Sequence, residues 1–396
     1  MRRNVGSRTY LMDSDDAYYM FKLKNHEFTF DVDVATLPCG LNGALYFVAM
    51  DADGGMSKYP SNAAGAKYGT GYCDAQCPQD IKFIDGVAND MNWTGSSASS
   101  GTGKYGTCCS EMDIWESNSV SQAVTPHPCT IPGQHQCDGS TADCGNLPGD
   151  RDKGNCDHDG GDFNPWRMGD KTFYGPGSNF VIDSTKKVTV VTQFITSDNT
   201  DTGDLTEIRR FYVQDGKTVP TRQFSVGGQT YDSVTDGMVK QQKAVFNNTD
   251  TFTAKGGLKQ MGKAMDNGMV LVMSLWADYA VDMLWLDSDF PTDVPNTNPG
   301  VSRGSCPITS GKPADLIKNN PDATVTYSNI KIGTLGSTFP SGPSPPGPPS
   351  PPGPPSPPAP PSGCPGGSLS ACIQLCPSSP PAAYKDCVEA CTARCT

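Results

Sequence analysis

Several stretches of the chain alternate apolar and polar residues with a period of two, the signature of half-buried strands. Residues 28–34, Phe-Thr-Phe-Asp-Val-Asp-Val, set Phe28, Phe30, Val32 and Val34 on one side and Thr29, Asp31 and Asp33 on the other. The runs 44–50, 187–194 and 269–276 are rich in β-branched and aromatic residues and predict three further strands. A helix is predicted at 257–267, where Leu258, Met261 and Met265 share one face. Strands and helices do not alternate as βαβ units would require, so the pattern predicts an all-β chain in which sheet packs on sheet. The connections at 95–109 and 126–162 are long and rich in Gly, Ser and Cys; long loops in a compact protein are usually functional.

Composition sharpens this picture. A chain of 396 residues with 43 Gly, 34 Pro, 16 Cys and only 18% charged residues is a turn-rich protein stapled by disulfides rather than a helical bundle. A net charge of −12 excludes a nucleic-acid partner, which needs a basic surface. No stretch is apolar enough to span a membrane, so no membrane partner is expected either. The cysteine content implies an oxidising, extracellular setting, yet residues 1–7 carry no apolar signal core; a secretion signal is expected to lie outside this chain.

Composition also divides the chain. Residues 340–362 are almost entirely Pro, Gly and Ser, which bury no core and predict an extended polyproline linker, long enough to reach roughly 70 Å. Beyond it, residues 363–396 hold six cysteines. Cys372 and Cys376, and then Cys387, Cys391 and Cys395, are spaced to line helical faces, which predicts a small helical hairpin clipped by disulfides. Its function reads equally as a carbohydrate-binding or anchoring module and as a purely structural hairpin. Residues 1–339 form the catalytic candidate.

Chemistry concentrates at 108–116, Cys-Cys-Ser-Glu-Met-Asp-Ile-Trp-Glu. Three carboxylates within six residues, interleaved with Met112, Ile114 and Trp115, are costly in a strand, because like charges and burial both hold protons on the carboxyls. Glycosidic cleavage calls for such a pair, one carboxylate attacking the anomeric carbon while a carboxylic acid protonates the leaving oxygen. The spacing fits a solvated acidic face on a surface strand equally well. A regular strand would put Glu111 and Asp113 on one face and Glu116 on the other, and a helix would separate the glutamates by about 140°. Convergence therefore predicts a bulge or bend between Asp113 and Glu116.

The same motif, together with Thr-Pro-His-Pro-Cys at 125–129, Asn-Gly-Ala-Leu-Tyr-Phe-Val-Ala-Met-Asp at 42–51 and Gly-Thr-Gly-Tyr-Cys-Asp at 69–74, closely resembles glycoside hydrolase family 7, the cellobiohydrolases and endoglucanases. The resemblance runs from about Asn4 to Gly336. It implies a concanavalin-like jelly-roll β-sandwich whose long loops shape a cleft or tunnel, hydrolysing β-1,4-glucan with retention. Glu111 then resembles the family's nucleophile, Glu116 its acid/base, Asp113 the residue that tunes the nucleophile and His127 the histidine beside the acid/base. Trp276 and Trp285 resemble its sugar platforms, and Asn42, Tyr46, Tyr72, Gln76, Lys82, Arg151, Asp159, Asp162, Arg167 and Arg303 fall on its cleft positions. The implied disulfides are Cys39 with Cys306, Cys73 with Cys109, Cys77 with Cys108, Cys129 with Cys156, and Cys137 with Cys144. A further family bridge is replaced by Gly161 and a residue near Met238 or Val239. The chain also departs in carrying Ala277 where the family has an acidic residue, in a loop 144–151 that is one residue short and lacks the usual tyrosine, and in entering the resemblance about one hundred residues into the family domain.

The segments 93–108, 137–156 and 291–304 are close to the loops that roof a tunnel, which implies cellobiose release from cellulose chain ends. The alternatives are an endoglucanase of the same family, or a non-catalytic glucan-binding protein if the missing section is genuine. Neither metal nor cofactor is implied, since carboxylates and water suffice. The expected partner is cellulose or another β-1,4-glucan, acted on by a secreted monomer. Asn92-Trp93-Thr94 and Asn247-Asn248-Thr249 are glycosylation sequons.

Overall fold

The computed structural model describes residues 8–339, apart from 92, 98 and 99, together with 388, 389 and 392. The chain divides into two units, 1–342 and 343–396. The expected linker and, but for three helical residues, the expected cysteine-rich hairpin lie outside the described residues.

Eleven strands of the first unit form two antiparallel sheets: β1 (Arg8–Tyr10), β2 (Met20–Phe21), β3 (His26–Asp33), β4 (Leu41–Val48), β5 (Glu111–Ser117), β6 (Gln122–His127), β7 (Val188–Thr196), β8 (Leu205–Gln214), β9 (Lys217–Pro220), β10 (Met269–Ala277) and β11 (Thr326–Thr334). One sheet runs β1-β10-β4-β5-β6, with β2 also pairing β10, and the other runs β9-β8-β7-β3-β11. They face one another as an all-β sandwich. The predicted strands are present as β3, β4, β7 and β10, and the predicted helix as α3 (Gly257–Met265), after α1 (Asp236–Val245) and α2 (Thr251–Ala254). In α3, Leu258, Met261 and Met265 are all buried.

The inward residues of both sheets interlock. Phe28 of β3 meets Phe47 of β4 edge-on at 5.0 Å between ring centres, and Phe30 meets Trp115 of β5 at 6.3 Å. Such pairs add to the apolar burial that holds the layers together. The polar side of β3 is buried as well. Its Glu27 accepts hydrogen bonds from the Gly336 and Thr338 amides, the Thr338 hydroxyl and the Gln193 amide, so the segment after β11 closes over an outer face that alternation alone would leave to water.

Disulfides join Cys39 to Cys306, Cys73 to Cys109, Cys77 to Cys108, Cys129 to Cys156 and Cys137 to Cys144. A Cβ added to Gly161 would lie 2.8 Å from Val239 Cγ2, so Val239 packs against Gly161.

Beside Cys306 lies Asp287, fully buried, whose Oδ2 accepts from the Gly40 amide (2.8 Å) and Asn118 Nδ2 (2.7 Å), while Oδ1 has no partner. Burial pushes its carboxyl from 3.8 up to about 6 against those two hydrogen bonds. A raised carboxyl stabilises the fold fully below its unfolded value and loses that contribution as pH climbs through the folded one. Asp287→Asn, which keeps an acceptor for both donors, is expected to leave thermal stability unchanged near pH 3.5 and to raise it by about 1–3 kcal/mol at pH 8. Calorimetric melts at the two pH values check this.

Candidate active site

The site is built on the central strands β4 and β5 where β5 breaks its regular pairing. Asp113 stands opposite Thr125 and Glu116 opposite Ala123 on β6, so two residues, Ile114 and Trp115, face the single Val124. The bulge foreseen from parity is present. It turns Glu116 back to the face carrying Glu111 and Asp113 while Trp115 goes into the core.

Each of the three carboxylates is held. The Ala75 amide donates to Glu111 Oε2 at 3.0 Å. Asn42 Nδ2 donates to Glu116 Oε1 at 2.9 Å, and its amide is oriented by its own Oδ1, which accepts from the Ser117 amide. Asp113 Oδ2 lies 3.1 Å from His127 Nε2. The other nitrogen of that ring, Nδ1, is 2.8 Å from the Asp157 carbonyl. A carbonyl only accepts, so Nδ1 carries a hydrogen, and a second proton must lie on the contact between Nε2 and Asp113. Gly160, at φ +67°, is required beside this ring, since a Cβ there would stand 2.7 Å from His127 Cε1.

Burial raises all three carboxyls. Glu111 is pushed well above the usual range by burial, then by Asp113 and Asp74; His127 and the Ala75 amide oppose the shift. Asp113 is pushed well above it by burial, then by Glu116 and Asp74. Glu116 reaches about 7 through burial, with His127 and Asn42 drawing it down and Asp162 pushing it up. So close a cluster keeps protons near neutrality. Glu111 has a backbone donor that favours its ionised form, and a side-chain hydrogen bond with Glu111 opposes the rise of Asp113. The arrangement can present one carboxylate and one carboxylic acid on a single face.

Around the cluster, Tyr46 and Tyr72 share a hydroxyl contact of 3.0 Å, and Tyr72 donates to Asp74 at 2.7 Å. Gln76 donates to the His158 carbonyl, and Arg151 pairs with Asp159 at 2.7 Å. Arg167 pairs with Asp162 at 2.5 Å and donates to the Gly300 carbonyl. Arg303 Nη1 reaches the Trp285 carbonyl at 3.3 Å. Burial, then Arg167, lowers the Arg303 guanidinium to about 9. Trp276 and Trp285 stack 6.3 Å apart, and Asp278, one residue past Ala277, accepts from Trp285 Nε1 at 3.2 Å. Lys82 holds its ammonium over Trp93 at 5.0 Å.

Sequence reasoning assigned no role to Asp74, whose charge acts on Glu111 and Asp113, to Arg8, whose guanidinium lies 3.8 Å over the Tyr72 ring, or to Lys243, buried on α1, whose charge favours ionised Asp159 and Asp162. Asp74 stands inside a motif quoted above. Arg8 and Lys243 carry no local signal, because only the folded chain brings them to the site.

The model of glycosyl hydrolase family 7 matches residues 1–339. Among solved structures, a family 7 cellobiohydrolase from Daphnia pulex is 56% identical with a TM-score of 0.82, covering 85% of this chain and 76% of that one. A cellobiohydrolase from Melanocarpus albomyces complexed with cellotetraose is 45% identical with a TM-score of 0.78, covering 85% and 76%. The Humicola insolens endocellulase EGI is 36% identical with a TM-score of 0.69, covering 84% and 73%. On the expectation that the family domain lacks roughly its first hundred residues, the family match takes in residues 1–339 of this chain, and the matched part spans 76% of each of the two cellobiohydrolase chains.

Proposed function

The chain belongs to glycosyl hydrolase family 7, and from that premise we propose a retaining cellulase that cleaves β-1,4-glucosidic bonds and releases cellobiose from chain ends. The observation that carries this reading is the bulge that sets Glu111, Asp113 and Glu116 on one face of β5. In the proposed cycle Glu111 attacks the anomeric carbon as Glu116 gives its proton to the departing oxygen. Glu116 then takes a proton from water as that water displaces Glu111, and two inversions amount to retention. Asp113, with the proton it shares with His127, orients Glu111 and limits repulsion within the cluster.

Asp162 acts on Glu116 and Asp74 on Glu111, so the site is polar along its length. The departing sugar belongs at the end of Asp162, Arg167 and Arg303 and the retained sugar at the end of Tyr46 and Tyr72, with Trp276 and Trp285 as platforms flanking the cleavage point. Aromatic faces suit sugar C–H surfaces, and the fixed polar groups suit hydroxyls.

Chain-end action is supported by identities of 45 and 56% to the two cellobiohydrolases against 36% to the endocellulase. Assayed on swollen cellulose and on soluble carboxymethylcellulose, the protein is expected to release cellobiose as the main soluble product with little loss of viscosity. Rapid viscosity loss with little cellobiose would favour endo action, and binding without any product would favour a glucan-binding protein.

Secretion as a monomer is part of the same reading. Asn247 stands in an exposed turn, which suits glycosylation there. The proline-rich 340–362 would tether 363–396 to the hydrolase, as a glucan-binding module or a structural hairpin.

A further inference from the structure

On β8 the inward parity is held by Ile208, Arg210 and Tyr212, all buried. An arginine at a core position between isoleucine and tyrosine is costly unless its donors are used. Arg210 is 3% exposed, and no carboxylate pairs with it among the described residues. Its Nη1 and Nη2 donors are spent on the opposite sheet and on the neighbouring β7, while Nε has no partner among the described residues. Nη2 donates to the Ile114 carbonyl and, at 3.4 Å, to Thr192 Oγ1 of β7; Nη1 donates to Gln122 Oε1 of β6 at 3.3 Å. Gln122 is held for this by donating from Nε2 to the Tyr212 hydroxyl at 2.8 Å. The guanidinium carbon also lies 5.7 Å from the ring centre of Trp115, the second residue of the bulge.

The bulge creates the need for that donor. Val124, the single residue facing Ile114 and Trp115, bonds outward to Phe163, as alternation along an antiparallel strand requires, so it offers no amide to the Ile114 carbonyl. A buried carbonyl left without a donor costs about 1–3 kcal/mol. A one-residue slip that restored regular pairing would turn Glu116 to the other face.

We infer that Arg210 is a positioning residue for catalysis: it caps the carbonyl exposed by the bulge and thereby keeps Glu116 on the same face as Glu111. This rests on the reading of Glu116 as the acid/base. Arg210 touches no sugar-binding residue named above, so its loss should act through proton donation rather than through substrate binding.

The test uses the full chain and aryl β-cellobiosides differing in leaving group. A 2,4-dinitrophenolate needs little protonation, whereas an unsubstituted phenolate needs Glu116. For R210M, kcat/KM on the phenyl substrate is expected to fall about 30-fold and on the dinitrophenyl substrate less than about 3-fold, with R210K recovering most of the loss. Equal losses on both substrates, or none, would overturn the inference. Should R210M not fold, R210Q, too short to reach the Ile114 carbonyl, decides by the same ratio: a loss confined to the phenyl substrate supports the role, and equal or absent losses overturn it. A wild-type protein inert toward both substrates would instead remove the reading of Glu116 itself.

Discussion

Glu111→Gln is expected to lower cellobiose release by roughly 10⁴-fold or more while leaving adsorption to cellulose intact. The substitution keeps the shape that accepts the Ala75 amide but removes the electron pair that attacks the anomeric carbon. The same change should stabilise the fold at neutral pH. Burial, Asp113 and Asp74 all raise the Glu111 carboxyl, so its favourable contribution is present below the unfolded value of 4.5 and is lost as pH rises through the higher folded one. Glutamine carries no such loss, and the melting temperature of the variant should exceed that of wild type at pH 7 and equal it near pH 4. Rates on swollen cellulose and paired melts test both halves. A variant that still turns over would show that Glu111 is not the nucleophile, and one destabilised at pH 7 would show that its carboxyl is not under electrostatic strain.

That strain could be read in part from the order of residues. Glu111 and Asp113 are two apart, so a strand had to set them side by side, and the parity of Glu116 required the chain to break its pairing before it. The alternation of 28–34 likewise gave β3 its inward side. What lay beyond local pattern is what depends on distant chain. The outer face of β3 is buried because Gly336 and Thr338 arrive on it. β8 and β11 were not foreseen: β8 carries Glu207, Arg209 and Arg210 amid its apolar residues, and β11 is mostly exposed or half-buried, so neither shows clean alternation. An arginine at core parity was the available sign of Arg210, but its purpose appears only when β5 lies across from it. The cleft residues and the five disulfides followed from family resemblance, because spacing alone does not say which loops meet. Asp74 shows that limit most clearly, standing within a recognised motif while its effect on Glu111 needs three dimensions.

Glu116→Gln should separate the two halves of the reaction. On phenyl β-cellobioside kcat/KM is expected to fall about 10³-fold, since nothing replaces the proton donated to a poor leaving group, while the dinitrophenyl substrate should lose little. Turnover of the activated substrate should then stall, because water lacks a base, and added azide, which needs none, should restore it and yield a β-cellobiosyl azide. The wild-type pH profile carries a second expectation. With Glu116 at about 7, kcat/KM should decline above pH 7 as the acid loses its proton. Asn42 donates to Oε1 and favours the ionised form, so Asn42→Ala should let Glu116 keep its proton to higher pH and move the alkaline limb upward. A limb that stays in place in this variant, or azide that restores nothing in Glu116→Gln, would assign proton transfer to another group. Only a carboxyl that is both hydrogen-bonded by Asn42 and responsible for the leaving group satisfies both results, and in this fold the bulge of β5 is what gives Glu116 those two properties at once.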